Sequence, residues 1–118
     1  MKAARTPDLQ STFRALADPT RREILVFLSQ HESSIGEVVD QFDVTRGAIK
    51  KHLVILEEGG LISIHTRGRE RINRLEPSAL HSVNSWLQYF EQFWDNNLRN
   101  LKTAIEQRTP TNPKRKKQ

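Results

Sequence analysis

Seven basic side chains fall between residues 45 and 74: Arg46, Lys50, Lys51, Arg67, Arg69, Arg71 and Arg74, against three acids, Glu57, Glu58 and Glu70. That segment carries +4 of a formal net charge of +5. Residues 109–118 add Lys114, Arg115, Lys116 and Lys117 with no acid, so everything outside the two segments sums to −3. A basic strip on a slightly acidic body suits a polyanion. Guanidinium forks match the paired acceptors of guanine, and ammonium groups meet phosphates as point charges. Charge alone fits a solvated surface at least as well, so the case depends on where these residues sit.

Other chemistries find less support. The chain has no cysteine, which removes disulfides, thiolate metal sites and cysteine nucleophiles. The four histidines, His31, His52, His65 and His81, show no ligand spacing. No serine–histidine–acid set, paired carboxylates or glycine-rich phosphate loop is evident, so no enzyme is expected. Met1-Lys2-Ala3-Ala4-Arg5 lacks the apolar run of a signal peptide, and no stretch approaches the ~20 apolar residues of a membrane span. The expectation is a cytoplasmic protein without membrane contact. With 118 residues, 36% of them hydrophobic, the chain fits one domain with a modest core that pairing with a second copy would complete.

The elements that must position the basic strip follow from periodicity. Leu9, Phe13 and Leu16 predict a short helix near 8–17. Asp18-Pro19 opens a second helix, with Ile24, Leu25 and Leu28, because Asp accepts from first-turn N–H groups and Pro needs none. Ser34-Ile35-Gly36-Glu37 has the spacing of a capping box and starts a third, burying Ile35, Val38, Val39 and Phe42. After a turn at Asp43-Val44, Thr45 caps a fourth helix with Ile49, Leu53 and Leu56 inward, ended by Gly59-Gly60. The period then alternates through Leu61, Ile62 and Ile64 to Thr66-Arg67-Gly68-Arg69 and on to Ile72 and Leu75, two strands joined at Gly68. Glu76-Pro77-Ser78 opens a last helix over about 78–107. A mainly α chain with a β-hairpin, ordered α-α-α-α-β-β-α, is a winged helix-turn-helix: one domain over 1–108, then a disordered basic tail over 109–118.

The same residues resemble a known family. The run from Phe13 through Ala17-Asp18-Pro19-Thr20-Arg21-Arg22 to Leu25 looks like the opening motif of ArsR-type repressors. Val44 to Leu56, with Lys51-His52-Leu53, looks like their recognition helix. Gly60-Leu61-Ile62 and Arg67-Gly68-Arg69 look like the root and tip of their wing, and the likeness spans about residues 9–108. It implies a dimeric, sequence-specific DNA-binding repressor on a palindromic operator, and in many members a metal or other signal releases the DNA. The competing reading is a winged-helix adaptor for protein or RNA, since fold does not fix function. The basic clusters on recognition helix and wing argue against a pure protein adaptor.

A recognition helix enters the major groove by its N-terminal part. The residues expected there are Thr45, Arg46, Gly47, Ala48 and Lys50, with Arg46 as the base reader and Lys50 and Lys51 on phosphates. Gly47 and Ala48 stand where the family usually has hydroxyl residues, so its operator sequence does not transfer. His52 fits a phosphate contact and a helix-orienting role equally. Arg67 and Arg69 suit a wing reaching the minor groove or backbone. The resemblance also implies metal sites that are missing here. Ser34 and Gly36 occupy the cysteine positions of one, and His81, with Ala79 and Gln92 beside it in the pattern, is the sole remnant of another. No metal or cofactor is expected.

Five of the eight aromatic residues, Trp86, Tyr89, Phe90, Phe93 and Trp94, lie within nine positions of the last helix. They suit a pocket for an apolar ligand or a dimer interface. The interface is favoured because the stripe continues aliphatic. Its expected members are Leu80, Val83, Leu87, Phe90, Trp94, Leu98, Leu101 and Ile105, packed with Leu9 and Phe13 of the first helix. The expected partners are double-stranded DNA and a second copy, with a small-molecule effector left open.

Overall fold

Asp8, Asp18, Ser34 and Thr45 each place a side-chain oxygen over the first turn of a helix, where N–H groups have no intrahelical acceptor. They accept from the N–H of Ser11 at 2.8 Å, Arg21 at 3.0 Å, Glu37 at 3.3 Å and Ala48 at 3.2 Å. The helices they start are α1 (Leu9–Leu16), α2 (Pro19–Gln30), α3 (Ile35–Gln41) and α4 (Arg46–Glu58). At α3 the capping box is complete, because the Glu37 carboxylate also accepts from the Ser34 N–H at 2.8 Å. The computed structural model describes residues 8–108; the basic tail expected over 109–118 lies outside them.

The hairpin consists of β2 (Ile62–Arg67) and β3 (Glu70–Leu75), antiparallel, with Arg67 opposite Glu70. Its two-residue turn begins at Gly68, whose φ of 63° is the left-handed geometry such turns demand. A third strand was not expected from the pattern. β1 (Ser33–Ser34) pairs antiparallel with β3, giving the order β1-β3-β2. Buried Asn73 seals the junction by donating to the Ser33 carbonyl at 3.1 Å.

The chain divides into two units, Met1–Asn84 and Ser85–Gln118. The first holds the core, built on Ile24, Leu28, Val38, Ile49, Leu56 and Leu61. Gly59-Gly60 ends α4 in a Schellman motif: Leu61 N–H donates to the Leu56 carbonyl at 3.0 Å and Gly60 N–H to that of Glu57 at 2.9 Å. α1 crosses directly over this end, and Thr12 Oγ1 donates to the Gly59 carbonyl at 2.8 Å. A methyl group on Gly59 would stand 2.9 Å from the Ser11 carbonyl oxygen and 3.0 Å from the Ala15 side chain, whereas one on Gly47 would meet nothing within 4 Å. Gly59→Ala therefore has to displace α1 and is expected to destabilise the fold by about 1–3 kcal/mol. Gly47→Ala should stabilise it by up to about 1 kcal/mol through helix propensity alone. Urea denaturation of the two variants checks both signs, and a Gly59→Ala protein as stable as its parent refutes the close approach.

The single helix expected over 78–107 is instead two, α5 (Pro77–Gln88) and α6 (Glu91–Arg108). Around Tyr89 and Phe90 the hydrogen bonds tighten to three residues: Tyr89 N–H to Trp86 at 3.3 Å, Phe90 N–H to Leu87 at 2.9 Å and Phe93 N–H to Phe90 at 3.0 Å. Neither glycine nor proline marks the break. Aromatic residues have only middling helix propensity, and leaving the helical path lets neighbouring rings meet edge to face. Phe90 lies 5.0 Å from both Trp86 and Tyr89, measured between ring centroids.

Candidate nucleic-acid interface

α4 is oriented from below by residues of the Asp18-to-Arg22 run. Arg21 donates through Nε to the Ala15 carbonyl at 2.8 Å and through a terminal nitrogen to that of Arg14 at 3.0 Å. Arg22 reaches the Leu16 carbonyl at 2.7 Å. The two guanidinium groups thus occupy acceptors at the C-terminal end of α1, a favourable place for cations. The Arg21 N–H bonding to Asp18 holds that carboxyl below its ordinary range. His52, on α4, has its Nδ1 3.4 Å from Arg21 and 3.9 Å from Asp18. Its side chain is only 19% exposed, so it faces this cluster more than solvent.

Above that base, Thr45, Arg46, Gly47, Lys50 and Lys51 are exposed. Ala48 is half-buried, which leaves it less to offer a base edge than its neighbours. Two grooves flank the exposed edge of α4. Toward the hairpin, Arg46 and Lys50 share a cleft of about 360 Å³ with Arg71 of β3. Toward α1, Lys50, Lys51 and Gly47 line a shallower groove with Arg14. Arg14 and Arg71 are cations beside the helix that were not among the expected contact residues. The signal for Arg71 was its alternation with Asn73, which puts both on one face of β3.

The wing departs from expectation in one respect. Arg67 was expected beside Arg69 at the tip, but its guanidinium pairs with Glu32, which also accepts from Arg74 Nε at 2.8 Å. Arg74 and Arg67 together hold the Glu32 carboxyl below its ordinary range. A depressed carboxylate contributes stability above its unfolded pKa and loses it as pH falls through the folded one, so these pairs persist at neutral pH. Arg69, in the turn itself, is exposed.

Among the described residues no group of three or more His, Asp or Glu side chains could hold a metal ion, and no helix is long and apolar enough to cross a membrane. Trp94, Leu98, Leu101 and Ile105 expose 55–66% of their surface, and Leu87 and Phe90 expose 50% and 36%. Leu80 packs instead against the core of the first unit, and Val83, Leu9 and Phe13 are half-buried.

Comparison with known proteins bears on the family and the fold. Residues 18–63 match the family described as bacterial regulatory protein, arsR family. The transcriptional repressor SdpR of Bacillus subtilis is 31% identical over 90 residues, which are 76% of this chain and all of that one. An ArsR-like transcriptional regulator from Rhodococcus sp. RHA1 superposes with a TM-score of 0.67 at 34% identity, covering 81% of this chain and 91% of its own. The homodimeric winged helix-turn-helix DNA-binding domain Mb0332 from Mycobacterium bovis shares the fold, with a TM-score of 0.56 at 22% identity over 78% of this chain and 82% of that one.

Proposed function

The chain belongs to the ArsR family of bacterial regulatory proteins, and from that premise we propose that it is a transcriptional repressor that binds a palindromic operator as a homodimer and acts by binding rather than catalysis. The observation that carries this reading is the capped, exposed start of α4 sharing a cleft with Arg71 of the hairpin. Arg46, in the first turn, is suited to read a base, with Thr45 and Gly47 beside it allowing close approach and Ala48 less exposed. Lys50 and Lys51 neutralise phosphates, and Arg69 carries the wing to the adjacent groove. Arg67 is drawn toward Glu32 and shares in contact only where phosphate displaces that pairing. His52 serves better as an orienting residue than as a phosphate ligand, because Asp18 and Arg21 surround its Nδ1.

The second copy covers the exposed stripe of Leu87, Phe90, Trp94, Leu98, Leu101 and Ile105, which is too extended to leave in water. Such a protein works in the cytoplasm, where the DNA is. The test is fluorescence anisotropy against duplexes from the protein's own promoter, a random duplex and a double-stranded RNA, each over a salt series. The expected result is promoter preference with log affinity falling linearly in log salt by about 0.9 per phosphate neutralised. Salt-insensitive binding, or equal affinity for duplex RNA, would overturn it.

A further inference from the structure

The cleft between α4 and the hairpin has a direction. α4 contributes Arg46 and Lys50 near one end, Leu53 and Val54 in the middle and Glu57 at the other, a span of about 16 Å at 1.5 Å per residue. Arg71 adds a third cation from the opposite wall, while Ile64 supplies apolar surface there. Along α4 one end of the cleft is therefore cationic, the middle apolar and the far end acidic. Val54, which borders both this cleft and the groove toward α1, is 47% exposed. A backbone phosphate would satisfy the cations but would leave the apolar floor without a partner.

We propose that this cleft binds a small monoanion with an apolar body, an aryl or alkyl carboxylate, and that the bound ligand excludes DNA. The carboxylate lies between Arg46 and Arg71, with Lys50 beside it, and the body lies over Leu53, Val54 and Ile64. Glu57 refuses a second negative group, so a dicarboxylate of the same length is rejected. At about 360 Å³ the cleft is near the lower end of small-molecule sites and takes a molecule of one or two rings. Exclusion of DNA follows because Arg46 and Lys50 belong to both surfaces. That exclusion rests on the proposed function; the ligand site itself does not.

The experiment is a two-dimensional amide NMR titration of the full chain with naphthoate, with uncharged naphthylmethanol and a naphthalene dicarboxylate as controls. Naphthoate is expected to shift amides of residues 50–57 and 62–73 saturably, and the two controls to bind more weakly. Arg71→Ala should weaken naphthoate by about tenfold or more, the worth of a hydrogen bond to a charged group. Glu57→Gln should admit the dicarboxylate. In anisotropy, naphthoate should lower apparent DNA affinity by the factor one plus ligand over its Kd, and excess DNA should reverse the effect. Shifts confined to residues 86–94, insensitivity to Arg71→Ala, or naphthoate and DNA bound together would overturn the proposal. Saturable naphthoate binding in a protein that takes no duplex supports the site and overturns the repressor reading instead.

Discussion

Trp94→Asp and Leu101→Asp are each expected to give a chain that sediments as a monomer, with the helices and hairpin of residues 8–84 still folded. Both side chains are more than half exposed on α6, where they lie outside the core of the first unit. In the monomer a carboxylate at either exposed position meets water, whereas in the proposed dimer it would be buried against apolar surface without a partner, a penalty of several kcal/mol. An operator of two half-sites is then held by one reading head at a time. Losing simultaneous engagement should lower affinity by about 10²–10⁴-fold without changing a single contact to DNA. Circular dichroism separates monomerisation from unfolding, and a half-site duplex supplies the control, since its affinity should hardly change. Folded dimers of normal affinity from both variants refute the interface.

Arg46→Ala is expected to cost about 1–3 kcal/mol at the specific site and to flatten discrimination between operator and random duplex. Lys51→Ala should weaken both duplexes alike and reduce the salt slope by about one, because one phosphate neutralisation is lost. The difference follows from position: Arg46 is the first residue of α4, while Lys51 lies on the groove shared with Arg14. Anisotropy across a salt series distinguishes the two patterns. If Arg46→Ala lowers both affinities by the same factor, Arg46 is a phosphate contact and the base reader lies elsewhere, with Arg69 the next candidate.

What the sequence made legible is local. Asp18, Ser34 and Thr45 announce their helices because a cap acts over three residues, and Gly59-Gly60 announces a stop for the same reason. The placement of Arg46, Lys50 and Lys51 on an exposed helix edge followed from the period of Ile49, Leu53 and Leu56. β1 was not legible: two serines form no alternation, and their partner Asn73 lies forty residues away. Glu32 reads as an isolated acid until folding brings Arg67 and Arg74 to it. The division of the last helix had no breaker residue to betray it; the aromatic rings of Trp86, Tyr89 and Phe90 meet there instead. Arg71 was visible as charge, but its membership of a cleft depends on how the hairpin lies against α4.

The short third strand has a mechanical consequence for the wing. β1 grips β3 only at Ile72 and Asn73, so toward the turn the hairpin is a two-stranded ribbon. The wing is in effect a cantilever, clamped at its root by Ser33, Ser34 and the Asn73 side chain and tied further out by Arg67 to Glu32, with no third strand among the described residues near Arg69. Deflection in such a beam grows with distance from the clamp. The root and the Arg67–Glu32 pair therefore keep the strands in register beside α4, and any adjustment to a partner surface is confined to the turn at Gly68 and Arg69.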